Sequence, residues 1–294
     1  QLGIDLSEQA LEQNRPLQCY FGEEQPECFL GEKKLRQWLD ANDGASVDTK
    51  PFDLNAIQIN PDLPTEVIKL IRKLLSDFAD VFDSSDGKLP KPFQTEPIEI
   101  NFVENPVPQR IPEPRWTSAN SIVISKWAAD GLANGSLEHS TSMWASRPHV
   151  VLKAPQGQRA EDADIADCKL RVCGDYRLVN TQIAKLTPNL PTGTVELEKA
   201  AGYLYYFESD SVACYNSFVL SPGESRACLA VWTPCGLLQP TVLPFGQKNS
   251  GTEAQGPYRK AAASLSNIAN YVDDWLGYDN DINDLVKDFA KFLA

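Results

Sequence analysis

The stretch Tyr271-Val272-Asp273-Asp274 places two adjacent carboxylates behind an aromatic and a β-branched residue. The residues before it are polar, and Trp275-Leu276 after it are apolar, a pattern typical of two strands joined at a bend. Neighbouring side chains on a strand point to opposite faces, so both acids can face one way only at a turn. Two like charges held this close repel each other, and a divalent cation between them relieves the repulsion. The stretch therefore predicts either a metal-binding hairpin or an ordinary Asp-Asp surface turn.

A third carboxylate, Asp210, decides between these interpretations. It follows the aromatic-rich strand predicted at Tyr203 to Glu208, and catalytic carboxylates commonly lie where a rigid strand gives way to a loop. If this strand neighbours the Asp273-Asp274 hairpin in one sheet, the three acids meet. Two divalent ions about 4 Å apart, held by carboxylates, suit in-line phosphoryl transfer, in which one ion activates a 3′-hydroxyl and the other carries the triphosphate. Mg²⁺ fits as a hard ion bound by few carboxylates, with Mn²⁺ as the alternative.

Composition sets broad bounds on the protein. The 294 residues are 42% hydrophobic and 23% charged, as in an ordinary globular protein with one large domain or two small ones. We expect no membrane span and no signal peptide, because no apolar run is long enough. The seven cysteines are scattered, which argues against a structural zinc site and favours reduced thiols in an intracellular compartment. The net charge of −13, concentrated in the first third, predicts that any nucleic acid is held weakly or by other parts.

The chain divides by composition into two parts. Residues 1–64 combine acidic runs and scattered prolines without a clear core, which predicts an acidic linker or extension with one short helix around Lys33–Leu39. Residues 65–294 are predicted to fold.

Two amphipathic helices are predicted early in the folded part. The first covers residues 65–82 and would be capped by Thr65. The second covers residues 118–134, with Ser118 as its cap and Gly135 as its end. A later helix, after Gly251, would be delayed or broken by Gly256-Pro257, since proline lacks the donor that a helix interior needs.

A β-hairpin is predicted after the helix at residues 118–134 and before the helix that follows Gly251. Its strands, His149 to Lys153 and Leu170 to Cys173, would lay cationic side chains over an anionic ligand. Asp175 and Arg177 follow the second strand and could instead pair with each other as a structural ion pair.

The acids, the hairpin and several further motifs occur along the chain in an order that resembles the reverse transcriptase of gypsy-type LTR retrotransposon polyproteins. The resemblance covers about residues 75–294. The motifs that carry the resemblance are Phe78–Phe82, Pro106–Arg110, Trp144–Lys153, Arg171–Asn180, Phe207–Tyr215, Leu243–Gly251 with Gln255, and Tyr271–Asp274.

The resemblance implies an α+β fold, the fingers and palm of a right-hand polymerase, with an antiparallel palm sheet packed on helices. It implies that Asp210, Asp273 and Asp274 are the catalytic, metal-binding triad. It also implies a set of nucleotide-binding residues, namely Arg171, Tyr215, Phe245, Gly246 and Gln255.

The same resemblance suggests how those residues act. Arg171 would reach the triphosphate, and Tyr215 would lie beneath the sugar, where its ring excludes a 2′-hydroxyl and favours deoxynucleotides. Phe245 and Gly246 would pack against the nucleotide and the templating base. The implied partners are an RNA or DNA template with its primer and a deoxynucleoside triphosphate, and the implied location is a cytoplasmic particle or the nucleus.

The sequence also departs from the family pattern. Cys214 stands where the family usually has glycine, and Gly256-Pro257 interrupts a helix that the family keeps whole. We expect the thumb and the ribonuclease H domain to be absent from this chain.

Three functions remain open from the sequence. The first is an RNA-directed DNA polymerase module whose catalytic triad is intact but which lacks some of the parts that bind nucleic acid. The second is a catalytically idle, retrotransposon-derived structural or interaction subunit of a larger assembly. The implied protein partners are other parts of the same polyprotein or such an assembly. The third is another palm enzyme such as an RNA-dependent RNA polymerase, which Tyr215 disfavours because RNA synthesis needs room for the 2′-hydroxyl.

Overall fold

Three antiparallel sheets, with helices packed on them, form the part of the chain that a computed structural model describes: residues 32–41, 53–82, 89–154, 164–187 and 193–294. The α-helices are α1 (Glu32–Ala41), α2 (Thr65–Asp77), α3 (Ala79–Phe82), α4 (Ser118–Asn134), α5 (Arg177–Gln182), α6 (Gly193–Ala200), α7 (Glu224–Ala227), α8 (Ser250–Ala263) and α9 (Ile282–Leu293). The strands are β1 (Leu137–His139), β2 (Pro148–Lys153), β3 (Lys169–Gly174), β4 (Tyr205–Asp210), β5 (Val231–Thr233), β6 (Gly236–Pro240), β7 (Ile268–Tyr271) and β8 (Asp274–Asp279).

The sheet that carries the three predicted acids has the order β4-β8-β7 and is antiparallel throughout. One of its faces is covered by α9, where the Phe207 ring packs on Phe289 and Phe292. Gly277 makes this packing compatible with the strand pairing, because a Cβ there would lie 2.0 Å from the Phe207 ring. The sheet and its helix therefore form a rigid base for the loops at the end of β4 and between β7 and β8.

The other two sheets are smaller. β1, β6 and β5 form one sheet in that order, and β2 pairs with β3 along its whole length as the predicted hairpin, with Val151 opposite Arg171. Helix α4 contacts both sheets, because Val150 packs in the same buried cluster as Ala119 and Ile124 of that helix, and Leu137 packs with Ala128.

Both predicted helix caps are displaced. Thr65 is the first residue of α2 and makes no capping hydrogen bond, because the N-cap position belongs to Pro64. The predicted helix 65–82 also divides at Phe78, whose backbone leaves the helical region. In α4, Thr117 rather than Ser118 caps the helix, by accepting from the Asn120 N–H.

The predicted end of α4 is confirmed. Gly135 adopts a left-handed φ of 81°, which glycine tolerates at a helix C-terminus.

The helix predicted around Lys33–Leu39 is confirmed as α1. Leu35 is buried against α4, and Trp38 is also buried and donates its indole N–H to the Cys168 carbonyl at 2.7 Å. This segment of the predicted extension therefore packs on the rest of the protein. The division of the chain at residue 65 stays a prediction.

Helix α8 runs without interruption through Gly256-Pro257, so the predicted break is wrong. Pro257 removes one intrahelical donor, but the residues on either side are anchored. Ala254 and Tyr258 are buried, and the Tyr258 ring makes edge contacts with Phe218 and Trp275. Tertiary packing on both sides of the proline thus outweighs the loss of one hydrogen bond.

Within the described residues, no helix has both the length and the apolar character that a membrane span requires.

Candidate metal and nucleotide site

The three predicted carboxylates come together. Asp210, the last residue of β4, pairs directly with Asp274, the first residue of β8, and Asp273 lies in the turn between β7 and β8. One carboxylate oxygen from each of the three lies within 4.8 Å of the others. The predicted convergence is confirmed, and their roles as metal ligands and catalytic residues stay predictions.

The turn between β7 and β8 consists of Val272 and Asp273. Val272 has a φ of 57°, which a β-branched residue rarely adopts because its side chain crowds the backbone. The Asp273 carbonyl accepts from the Ser211 N–H at 2.8 Å, and the Ser211 hydroxyl accepts from the Trp275 indole at 2.9 Å. The turn is therefore tied to the residue that follows Asp210, which fixes the acids relative to one another.

The charges at this site make proton or cation binding favourable. Desolvation, followed by the negative charges of Asp273, Asp210 and Glu208, raises the pKa of Asp274 to about 6. Asp210 and Asp274 are exposed and Asp273 is half-buried, so an ion can reach all three. A set of carboxylate oxygens on a rigid sheet, open to further ligands, fits a hard ion such as Mg²⁺ or Mn²⁺.

Three of the predicted nucleotide-binding residues stack on one another beside the acids. The Tyr215 and Phe245 rings lie 5.1 Å apart between centroids in an edge arrangement, and the Arg171 guanidinium carbon lies 5.4 Å from the centroid of the Phe245 ring. Burial, with further effects from Cys214 and Asp273, raises the pKa of Tyr215 to about 12. Phe245 thus contacts both Arg171 of β3 and Tyr215, which lies in the segment after β4.

Gly246 lies next to this stack and has a φ of 89°. The left-handed φ is what favours glycine here, because a Cβ would lie 3.4 Å from the Gly174 carbonyl of β3, an ordinary van der Waals distance. Asn180 of α5 holds the same loop from the other side. Its amide donates to the Gly246 carbonyl and accepts from the Lys248 N–H, both at 2.9 Å.

Sequence reasoning did not single out Asn180 as a functional residue. It closes the Arg171–Asn180 motif, but nothing in the local sequence shows that its partners lie more than 60 residues away.

Gln255 lies behind the turn rather than on the surface beside Phe245. Its side chain is 1% exposed, and its amide contacts Asn270 and the Val272 N–H. This placement favours support of the turn over direct nucleotide contact. Asn270 was not predicted, because it belongs to the polar run before the turn and nothing in that run shows that its side chain is buried.

Cys214, the departure from the glycine of the family pattern, is buried. Its backbone is not in the left-handed region, which is adopted instead by Ala213 with a φ of 51°. Burial, followed by the Asp273 charge, raises the pKa of the Cys214 thiol to about 12, so the thiol stays protonated beside the acids.

The alternative interpretation of Asp175 and Arg177 as a structural pair is confirmed. Two nitrogens of Arg177 donate to the two Asp175 oxygens at 2.8 Å, and His149 Nε2 lies 3.2 Å from the same carboxylate. The Arg177 hydrogen bonds, with a smaller effect from His149, lower the pKa of Asp175 to about 2. Arg177 is thus engaged at the end of β3, whereas Arg171 lies over Phe245.

Comparison with solved structures shows that the chain has the fold of a reverse transcriptase. The prototype foamy virus protease-reverse transcriptase, as a selenomethionine-labelled mutant, matches over 89% of this chain and 31% of its own, with a TM-score of 0.65 and 17% identity. The native form of that protein matches over 79% and 29%, with a TM-score of 0.64 and 19% identity. The foamy viral protein in complex with an RNA/DNA hybrid matches over 83% and 32%, with a TM-score of 0.64 and 16% identity.

These matches confirm the predicted α+β fold of a right-hand polymerase. The chain spans about a third of the length of the structures it matches. The structures named above are of foamy viral proteins, so the resemblance to gypsy-type reverse transcriptases stays a prediction. Comparison with protein-family models and with curated protein sequences gives no match.

Proposed function

We propose that this chain is the polymerase module of an RNA-directed DNA polymerase of the gypsy type, which adds deoxynucleotides to a primer on an RNA or DNA template. The observation that supports this most directly is the convergence of Asp210, Asp273 and Asp274 in a reverse transcriptase fold. Like charges repel at this separation, and a bound divalent cation relieves the repulsion.

The three carboxylates would hold the metal ions. When bound there, two Mg²⁺ ions would lower the pKa of a primer 3′-hydroxyl and neutralise charge on the triphosphate. The chain's own contribution is to keep the three acids at fixed spacing on β4 and the β7–β8 turn.

The stacked residues would orient the incoming nucleotide. The Arg171 guanidinium, exposed on β3, would bind triphosphate oxygens. The Tyr215 ring would bound the sugar, and Phe245 with Gly246 would contact the base pair being formed. Rigid placement of these groups favours the in-line geometry that phosphoryl transfer requires.

The nucleic-acid partners belong to the same proposal. Three of the similar foamy viral structures are complexes, two with double-stranded DNA and one with an RNA/DNA hybrid. For this chain we propose a primed RNA or DNA template, with other parts of the same polyprotein or a larger assembly supplying basic surface. A cytoplasmic particle or the nucleus is the proposed location.

A primer-extension assay tests the proposal. The protein is incubated with a primed RNA template, Mg²⁺ or Mn²⁺ and deoxynucleoside triphosphates, beside an Asp273→Asn variant and an Asp130→Asn control. Asp130 lies exposed on α4, so its substitution removes a carboxylate far from the acids. We expect extension by the wild type and the control, and none by Asp273→Asn. Extension that persists in Asp273→Asn would contradict the proposed site.

The net charge of −13 favours a second candidate, a catalytically idle subunit of a larger assembly. This candidate predicts no extension by the wild type under any metal, also in longer polyprotein fragments that contain the chain.

A further inference from the structure

Two buried side-chain amides lie directly behind the turn that carries Asp273 and Asp274. Gln255 of α8 is 1% exposed and Asn270 of β7 is 4% exposed. The Gln255 Nε2 donates to the Asn270 Oδ1 at 2.7 Å. A buried amide is expensive unless its donors and acceptors are paired, so the partners of these two groups define what they stabilise.

The remaining amide atoms are directed at the backbone of the turn. The Gln255 Oε1 accepts from the Val272 N–H at 2.8 Å. The Asn270 Nδ2 lies 3.2 Å from both the Val272 carbonyl and the Asp274 carbonyl, and donates to them. Both backbone polar groups of Val272 are therefore bound by side chains, and so is the carbonyl of Asp274.

Val272 is the residue of this turn that needs such support. Its φ of 57° lies in the left-handed region, which a β-branched residue adopts only when its surroundings impose it. The two side-chain amides form hydrogen bonds to the backbone of the turn in this conformation and so stabilise it. The Ser211 N–H donates a further bond to the Asp273 carbonyl. A relaxed turn would rotate the peptide between Val272 and Asp273 and move the Asp273 carboxylate.

We propose that Gln255 and Asn270 are positioning residues that hold the Val272-Asp273 turn in its strained form and thereby set the spacing of the Asp273 and Asp274 carboxylates for a divalent cation. This inference rests on the proposed function and deepens it. The amide pair contacts no substrate; it acts through the turn. A purely structural role would affect the folding of α8 against β7, whereas a positioning role affects cation affinity.

The first test measures Mn²⁺ binding to the purified chain by calorimetry. Gln255→Met and Asn270→Leu keep side-chain size but lose the hydrogen bonds. We expect each variant to bind Mn²⁺ about 10- to 100-fold more weakly, the range typical when a group that orients a metal ligand is removed. The double variant should lose little more than either single variant, because the two amides form one network. Where extension is measurable, kcat should fall and the KM for deoxynucleotide should change little.

Gln239→Met serves as the matched control. The Gln239 amide also lies in a hydrogen-bonded network, with Ser140 and Glu138, but on β6 away from the acids. The Gln239→Met variant should bind Mn²⁺ with the same affinity as the wild type.

The second test uses the unchanged protein, so it does not depend on any variant folding. Hydrogen exchange followed by NMR should show slow exchange of the Val272 N–H, although turn amides usually exchange fast. Fast exchange, or amide variants that fold and bind Mn²⁺ like the wild type, would overturn the positioning role and leave the proposed function intact. Absence of Mn²⁺ binding by the wild type would overturn both proposals.

Discussion

Asp210 and Asp274 are direct cross-strand partners, because the last residue of β4 faces the first residue of β8. Directly opposed residues in antiparallel strands lie about 4.5–5.5 Å apart at Cβ, and like charges in that relation are destabilising. Asp273 adds a third negative charge from the adjoining turn. The fold therefore holds a repulsive arrangement in place, which is characteristic of functional sites rather than of stabilising ones.

The first prediction concerns this repulsion. We expect Asp274→Asn to raise the stability of the metal-free protein at pH 7.5 and to weaken Mn²⁺ binding. The pKa of Asp274 is raised to about 6, so the folded state holds that proton more tightly than the unfolded state. The stabilising effect of the proton is fully present below the unfolded-state pKa of about 4 and is lost as the pH rises through about 6. Because the side chain is exposed, the gain should be only about 1 kcal/mol, or about 2–4 °C in Tm.

Thermal melts in a chelator at pH 7.5 and pH 4 measure this effect. The gain should be present at pH 7.5 and small at pH 4, where the wild-type carboxyl already carries its proton when folded. Asp130→Asn should melt like the wild type at both values. Equal melting of Asp274→Asn and the wild type at pH 7.5 would show that the three charges do not destabilise the fold.

The second prediction tests the ring of Tyr215 as the boundary of the sugar site. We expect Tyr215→Val to raise the use of ribonucleotides relative to deoxynucleotides by about 10-fold or more, because a smaller side chain leaves room for the 2′-hydroxyl. The ring is half-buried and contacts Phe245, so shortening it opens space on that side of the stack. The ratio of kcat/KM values for matched ribo- and deoxynucleotides is the measurement.

Tyr215→Phe provides the matched control, since it removes the hydroxyl and keeps the ring. It should retain the wild-type preference. Equal loss of preference in both variants would assign the effect to the hydroxyl and refute the steric interpretation.

The acid cluster could be predicted from the sequence because its signals are local. An aromatic strand that ends at Asp210 and an Asp-Asp pair at a bend indicate the same edge of a sheet before any tertiary contact is known. The hairpin of β2 and β3 followed in the same way from strand patterns. The alternation of apolar and polar residues along a strand, and the residue types that favour turns, locate such features to within a few residues.

The errors arose where distant packing decides the outcome. Pro257 should break a helix by local propensity, but buried neighbours on both sides hold α8 together. The burial of Gln255 behind the turn was not foreseen, because sequence alone does not show which way a helical side chain faces when both faces are packed; its nucleotide-binding role stays a prediction. Asn180 was missed because its partners Gly246 and Lys248 belong to another loop.

The third prediction concerns the contact between Asn180 and the Gly246 loop. We expect Asn180→Ala to raise the KM for deoxynucleotide by about 10-fold with little change in kcat, because loss of two hydrogen bonds of about 1 kcal/mol each loosens the loop that carries Phe245. Steady-state kinetics with varied deoxynucleotide measure both constants. Asn180→Asp keeps the acceptor for the Lys248 N–H and loses the donor to the Gly246 carbonyl, so its KM should be intermediate. A fall in kcat with unchanged KM would place the effect on the chemistry instead of on nucleotide binding.

The fourth prediction tests the ion pair between Asp175 and Arg177, which lies just after β3. Asp175 has a pKa lowered to about 2, first by its hydrogen bonds from Arg177 and then by His149, and its side chain is mostly buried. A lowered carboxyl pKa stabilises the folded state above the unfolded-state pKa of about 4, and this contribution is lost as the pH falls from there towards about 2. Asp175→Asn should therefore lower the free energy of unfolding by about 1–2 kcal/mol at pH 7, measured by urea denaturation, and the difference should shrink below pH 4. Asp130→Asn, on an exposed helix face, should change the unfolding free energy little at either pH. A difference for Asp175→Asn that stays constant down to pH 3 would instead indicate a packing effect of the amide, because the attraction between the carboxylate and guanidinium charges is lost when the carboxylate is protonated.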